Sequence, residues 1–150
     1  MATPLSTLIP AVPLNRGVLQ QLSRIRLKES RILLKNGCYE GAYYLAGYAV
    51  ECALKACVGR RTRRYDFPDK RLVDASYTHD LGKLVKVAGL ELELEKQAKA
   101  SRIFQQNWAL VKDWTEESRY HGSRREKAHD LYLAIASRRH GVLRWITQHW

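Results

Sequence analysis

Apolar and small side chains recur along this chain at the three-to-four-residue spacing of helices, and no strand-like alternation interrupts them. Three of the four prolines lie within the first fourteen residues, and the fourth is Pro68. Because proline removes a backbone donor and clashes with the preceding turn, residues 1–15 are predicted to form a non-helical arm. Residues 16–150 are predicted to form one all-α domain, an antiparallel up-and-down bundle of four to five helices.

Glycines and capping residues predict where these helices begin and end. Asn36-Gly37, Gly59 and Gly89 are stop signals, and Thr78 is expected to cap a short helix. Ser123 and Glu126 have the spacing of a capping box at the start of the last helix. The predicted helices cover residues 16–35, 39–58, about 79–88, about 91–112 and about 123–150.

The second helix is expected to be central and mostly buried, because small residues follow one another through it and permit close packing. Glu51 and Lys55 lie four residues apart within this apolar stretch. One interpretation is an ion pair at the edge of the core, and the other is a polar pair beside a functional cleft. His79 is expected to serve at the start of the short helix.

Charge points to a polyanionic partner. The 150 residues contain 26 Lys and Arg against 15 Asp and Glu, a net charge of +11 with a pI near 9.8. The hydrophobic fraction of 45% excludes a disordered polycation, so RNA or DNA bound by a folded domain is the favoured partner class. A protein that is merely basic is the alternative.

The sequence predicts no metal and no cofactor. Three cysteines, an odd number, do not make a disulfide framework, and Cys52 and Cys57 have no second Cys or His pair beside them. No glycine-rich phosphate loop, H-E-x-x-H or G-x-S-x-G motif occurs. No uncharged apolar stretch approaches the roughly 20 residues of a membrane span, and no basic residue precedes Arg16 as a signal peptide requires. A cytoplasmic protein is expected.

Two basic segments are candidate nucleic-acid contacts. The first, residues 60–71, is predicted to be an exposed loop and carries Arg60, Arg61, Arg63 and Arg64. The second surrounds the predicted start of the last helix, where backbone N–H groups and the helix dipole favour phosphate. Arginine can stabilise a phosphorane and histidine can move protons near neutral pH, so this segment suits metal-independent RNA cleavage. The alternative is a basic cap that only packs and solvates. Its residues are Arg119, Tyr120, His121, Arg124, Arg125 and His129.

Four segments resemble the HEPN superfamily of small helical-bundle proteins. They are GCYEGAYYLAGYAVECALKA (37–56), YTHDLGKL (77–84), WTEESRYH (114–121) and VLRWI (142–146). The resemblance implies a helical bundle that is usually dimeric. It also implies a function, since many members are ribonucleases of toxin–antitoxin and defence systems. Many are encoded beside a minimal nucleotidyltransferase that acts as their antitoxin.

The family motif, an Arg followed four to six residues later by His, is matched by Arg124 and His129, with Arg125 as the polar second residue. Two copies of the motif would meet across a dimer to form one metal-independent active site. Arg124 and His129 lie about 140° apart around an ideal helix, whereas Arg125 and His129 share a face. Family branches that carry an Arg-Tyr pair like Arg119-Tyr120 commonly lack the full motif.

Three hypotheses follow from the residues and the resemblance. The first is a HEPN endoribonuclease, such as the toxin of a toxin–antitoxin or defence module, with catalytic Arg124 and His129 and the other basic residues on the RNA backbone. The second is a non-catalytic HEPN module that binds RNA, a nucleotide or a partner nucleotidyltransferase. The third is a scaffold whose basic surface has no dedicated ligand.

Overall fold

The computed structural model describes residues 15–62, 69–117 and 125–150, which contain eight helices and no strand. The predicted all-α bundle is confirmed, although the number of helices within these residues exceeds the four to five expected. The arm predicted over residues 1–15 lies, apart from Asn15, outside the described residues. The helices are α1 (Arg16–Lys35), α2 (Tyr39–Arg61), α3 (Lys70–Ser76), α4 (Leu81–Val87), α5 (Glu91–Ala100), α6 (Arg102–Lys112), α7 (Arg125–Ala136) and α8 (Val142–Thr147).

Helices α1 and α2 form an antiparallel hairpin that turns at Gly37, whose φ of 75° suits a residue without a side chain. The fully buried residues of α1 are serines, although the sequence favours a leucine stripe. Ser23 Oγ donates to the Ala49 carbonyl over 2.7 Å, and Ser30 Oγ donates to the Ala42 carbonyl over 2.6 Å. These small side chains bring the two helices close together and fix their register.

Helix α2 is the centre of the core, as predicted, and it packs against α1, α4, α7 and α8. Thirteen of its residues are buried, and the Trp114 indole lies flat against Gly47. The predicted stop at Gly59 is wrong, because α2 continues to Arg61. Gly59 lies beside Arg16, where an added Cβ would make an ordinary contact at 3.4 Å.

The segment predicted as a loop over residues 60–71 is partly helical. Arg60 and Arg61 end α2, and Lys70 begins α3, which Asp69 caps by accepting from the Arg71 amide. The cap predicted at Thr78 is also wrong. Asp80 caps α4 by accepting from the Lys83 amide. The Thr78 hydroxyl accepts from the Asp80 amide, just before the helix begins.

Both long helices predicted in the second half of the chain are interrupted. Ser101 ends α5 and caps α6, where its Oγ accepts from the Phe104 amide and pairs with His140 Nδ1. The apolar spacing of the sequence predicts Ile103 in the core, whereas the change of direction exposes Ile103 and buries Phe104 in its place. Gly141 separates α7 from α8, and the capping box expected at Ser123 begins outside the described residues.

Trp150, three residues beyond the end of α8, is tied back to the first helix. Arg16 donates to the Trp150 carbonyl over 2.8 Å, and the Arg24 guanidinium lies 4.9 Å from the centre of the Trp150 ring. The apolar spacing of the predicted last helix places Ala128, Leu131 and Ile135 in the core, and all three are buried on α7. Among the described helices, none has the length and apolar character that crossing a membrane requires.

Candidate functional site

A groove of about 430 Å³ runs between the end of α1 and the start of α7. On α1, Arg31 and Lys35 are one turn apart and therefore share a face. On α7, Arg125 and His129 have the same spacing, so their side chains enter the groove from the other wall. The lining residues are Arg31, Leu34, Lys35, Tyr39, Arg125, His129, Tyr132 and Leu133.

The lining of this groove is electropositive. Three of its residues are permanently charged cations, His129 can become a fourth, and none of the lining residues is a carboxylate. Two tyrosines offer aromatic surface beside these charges. Facing basic side chains of this kind repel each other unless an anion lies between them, so the groove favours a polyanionic ligand.

The structure brings together only part of the predicted nucleic-acid surface. Arg125 and His129 lie in the α1–α7 groove, as their shared helix face requires. Arg61 is engaged elsewhere, since it donates to the Val87 carbonyl at the end of α4 over 2.6 Å. Arg60 is exposed beside it, at the opposite end of α2 from Tyr39, and the helix between these two residues is about 32 Å long. The predicted site residues that lie outside the described residues are Arg63, Arg64, Arg119, Tyr120, His121 and Arg124.

Two groove residues were missed by the sequence analysis. Arg31 and Lys35 were predicted on the first helix but were given no role, because their proximity to α7 is a tertiary contact. Their i,i+4 spacing near the end of α1 was the available signal. That spacing marks many solvated helix faces, so the sequence alone could not single these two residues out.

Glu51 belongs to a second polar cluster, in which its closest partner is not Lys55. Its carboxylate is 2% exposed and lies 2.5 Å from His79 Nδ1, whereas Lys55 Nζ is 3.9 Å away. His79 Nε2 lies 2.9 Å from Glu116 Oε2. An imidazolium donates from both ring nitrogens, so His79 can join the two carboxylates and fasten the residues before α4 to α2 and to the segment after α6. This role is larger than the one expected for His79 at a helix start.

The described residues offer no group of three His, Cys, Asp or Glu side chains placed to hold a metal ion. The two buried thiols ionise less readily than an exposed cysteine. Burial raises the pKa of Cys52 to about 11, with the neighbouring Glu51 charge adding to the effect, and burial raises the pKa of Cys57 to about 12.

The fold and this groove define a small all-α bundle with a basic cleft between its first and seventh helices. A family model described as the HEPN domain matches residues 21–145. The chain therefore belongs to the HEPN family. No curated protein and no solved structure matches it.

Proposed function

We propose that the protein is a metal-independent endoribonuclease that binds RNA in the α1–α7 groove. The observation that carries this proposal is that His129 lines the same carboxylate-free groove as Arg31, Lys35 and Arg125. A proton-transfer group among cations is the combination that cleavage of a phosphodiester needs. Membership of the HEPN family, which includes many ribonucleases, supports the proposal of this activity.

The cations provide the phosphate contacts. Arginine binds phosphate oxygens through two parallel N–H bonds, and lysine binds them as a point charge. Arg31 and Lys35 lie on one wall and Arg125 on the other, so consecutive phosphates of a strand can be held between them. Each neutralised phosphate adds about 0.7 to the salt slope of binding to a single strand, so three contacts predict a slope near 2 from these residues.

His129 supplies the proton transfer. The ribose 2′-oxygen loses its proton, forms a bond to the adjacent phosphorus, and the bond from phosphorus to the 5′-oxygen breaks. The departing 5′-oxygen takes up a proton, so the products are a 2′,3′-cyclic phosphate and a 5′-hydroxyl. His129 can accept the first proton or donate the second, and an arginine beside it offsets the charge that develops on the phosphorane.

A homodimer would complete this chemistry. Two proton transfers use two groups, and His129 is the one imidazole in the lining of the groove among the described residues. A second copy related by a twofold axis would contribute its own His129, and Arg124 would stabilise the phosphorane from the same segment. In this proposal Arg119, Tyr120 and His121 extend the RNA contacts along the chain.

The test is degradation of a labelled RNA by purified protein in EDTA, with the cyclic phosphate product identified by mass. We expect His129→Gln to lower the cleavage rate by about 100-fold or more, the usual contribution of a general acid or base. His149→Gln, two residues beyond α8 and outside the groove lining, is the matched control and keeps the rate. Equal cleavage by His129→Gln and wild type would remove His129 from the mechanism.

A non-catalytic binding module is the second candidate. If the protein is a monomer, His129 is the one imidazole among the described residues that line the groove, and a second proton-transfer group is missing. RNA, a nucleotide or a partner nucleotidyltransferase would then be bound without cleavage. RNA affinity that falls steeply with salt and weakens in Arg31→Ala, with no product formed, would establish RNA binding without cleavage. Arg102→Ala on α6 controls for the loss of one charge.

A toxin role extends the first candidate. Expression of the wild-type chain would then arrest growth, expression of His129→Gln would not, and co-expression of a minimal nucleotidyltransferase antitoxin would restore growth. Growth arrest by both forms alike would separate toxicity from cleavage in this groove.

A further inference from the structure

A second groove, of about 720 Å³, lies between α6 and α7. Its charge is opposite to that of the first, since three carboxylates and one ammonium line it on a chain whose net charge is +11. Both grooves are bounded by α7, which presents Arg125 and His129 to one and Glu126 and Asp130 to the other. The lining residues of this second groove are Tyr43, Leu110, Asp113, Glu126, Lys127, Asp130 and Leu131.

The floor of the α6–α7 groove holds a polar group without a partner. Tyr43 is 6% exposed, and its hydroxyl forms no hydrogen bond within the described parts of the chain. Burial and the nearby Asp113 charge raise the pKa of Tyr43, so the hydroxyl keeps its proton and remains a donor. This hydroxyl is therefore a donor at the wall of the groove, where water or a polar ligand atom can accept from it.

The Tyr43 ring already accepts a cation. Lys127 Nζ lies 4.9 Å from the centre of the ring, within the range of a cation–π contact. The carboxylates of Asp113, Glu126 and Asp130 surround the same space. A guanidinium or ammonium group from outside would meet three carboxylates against one ammonium, whereas a phosphate would meet repulsion.

An apolar stripe on α6 borders this groove. Ile103 is 53% exposed and Leu110 is 50% exposed, and seven residues place both on one face of the helix, about 10 Å apart. Neither side chain is buried in the core, which Phe104 and Val111 fill from a different face of α6. Exposed apolar side chains beside an acidic groove fit a partner that is both apolar and basic.

We propose that the α6–α7 groove docks a basic amphipathic helix of a partner protein. The apolar face of that helix would cover Ile103 and Leu110, and its lysine or arginine side chains would reach Asp113, Glu126 and Asp130. Charge complementarity selects this occupant. On a chain whose net charge is +11, this acidic groove attracts a basic partner, and the apolar side chains beside it add contacts that a purely charged surface lacks.

The probe is a fluorescein-labelled helical peptide of about 14 residues, long enough to cover the stripe, with leucines on one face and lysines on the other. A second peptide carries glutamates in place of the lysines. We expect the lysine peptide to bind the full chain and the double variant Glu126→Gln/Asp130→Asn to bind it about tenfold more weakly, measured by anisotropy. The double variant Glu91→Gln/Glu95→Gln, on exposed positions of α5, is the matched control and keeps the affinity.

The proposal is overturned if the lysine peptide fails to bind, or if it binds the Glu126→Gln/Asp130→Asn variant as tightly as wild type. Preferential binding of the glutamate peptide would equally overturn it. Leu110→Ser should weaken the lysine peptide while leaving thermal unfolding unchanged, because this side chain is half exposed. Self-association that Leu110→Ser abolishes would assign the face to a second copy instead, and RNA protection of α6 would assign it to nucleic acid.

Discussion

His79→Ala should destabilise the protein, because it removes the nearest partner of a buried carboxylate. Glu51 is 2% exposed and lies 2.5 Å from His79 Nδ1, and Lys55 at 3.9 Å is at the limit of an ion pair. Breaking a fully buried pair costs about 3–5 kcal/mol. His79 is half exposed, so water can reach the vacated position and reduce the loss, which leaves about 2 kcal/mol.

The assay is urea unfolding followed by circular dichroism, supported by thermal unfolding. For a chain of 150 residues, a loss of about 2 kcal/mol should lower Tm by about 4–8 °C. Glu51→Gln removes the charge but keeps the shape, and a double-mutant cycle with His79→Ala should give a coupling energy of about 1–2 kcal/mol. His129→Ala, an exposed histidine, is the control and should change stability by no more than about 0.5 kcal/mol.

Two results would refute this reasoning. One is a His79→Ala variant whose free energy of unfolding lies within the range of the His129→Ala control. The other is strict additivity in the cycle, which would mean that His79 and Glu51 do not interact in solution. The two histidines have different proposed roles: substitution of His79 should lower stability, and substitution of His129 should lower the rate of cleavage.

Two further predictions concern packing and thiol reactivity. Gly47→Ala should destabilise the protein by about 1–2 kcal/mol in urea unfolding, because the new Cβ overlaps the Trp114 indole. This overlap outweighs the gain of about 1 kcal/mol in helix propensity. A stabilised variant would contradict this prediction. At pH 8 a maleimide or disulfide reagent should rapidly modify the exposed Cys38 alone, and it should modify all three thiols only in urea. Rapid modification of two thiols without urea would contradict this prediction. The raised pKa values keep the buried thiols protonated at that pH, and these are Cys52 and Cys57.

The helical fold could be predicted because its evidence is local. Apolar spacing and Gly37 set the bounds of α1, which agree with the structure at both ends. The break at Ser101 could not be predicted, because the residues around it permit one continuous helix. What favours the break is a contact with His140, 39 residues away, whose Nδ1 pairs with the serine hydroxyl. The error at Ile103 and Phe104 follows from that single change of direction.

Some residues of the candidate site could likewise be predicted from local sequence, and others could not. Arg125 and His129 could be predicted from one segment, because their spacing and the family motif are local features. Their partners Arg31 and Lys35 lie nearly a hundred residues earlier and reach them only through the packing of α1 on α7. Likewise, the spacing of Glu51 and Lys55 suggested an ion pair, whereas the closer partner, His79, is brought in by the position of the segment before α4.

The register of α1 on α2 determines where the cations of the α1–α7 groove lie. Ser30 bonds to the Ala42 carbonyl from a fully buried position, and the next residue, Arg31, enters the groove. A bulkier residue in place of Ser30 would force α1 away from α2 and carry Arg31 and Lys35 with it. The close approach of α1 and α2, which the sequence analysis attributed only to packing in the core, therefore also controls the spacing of the proposed phosphate contacts.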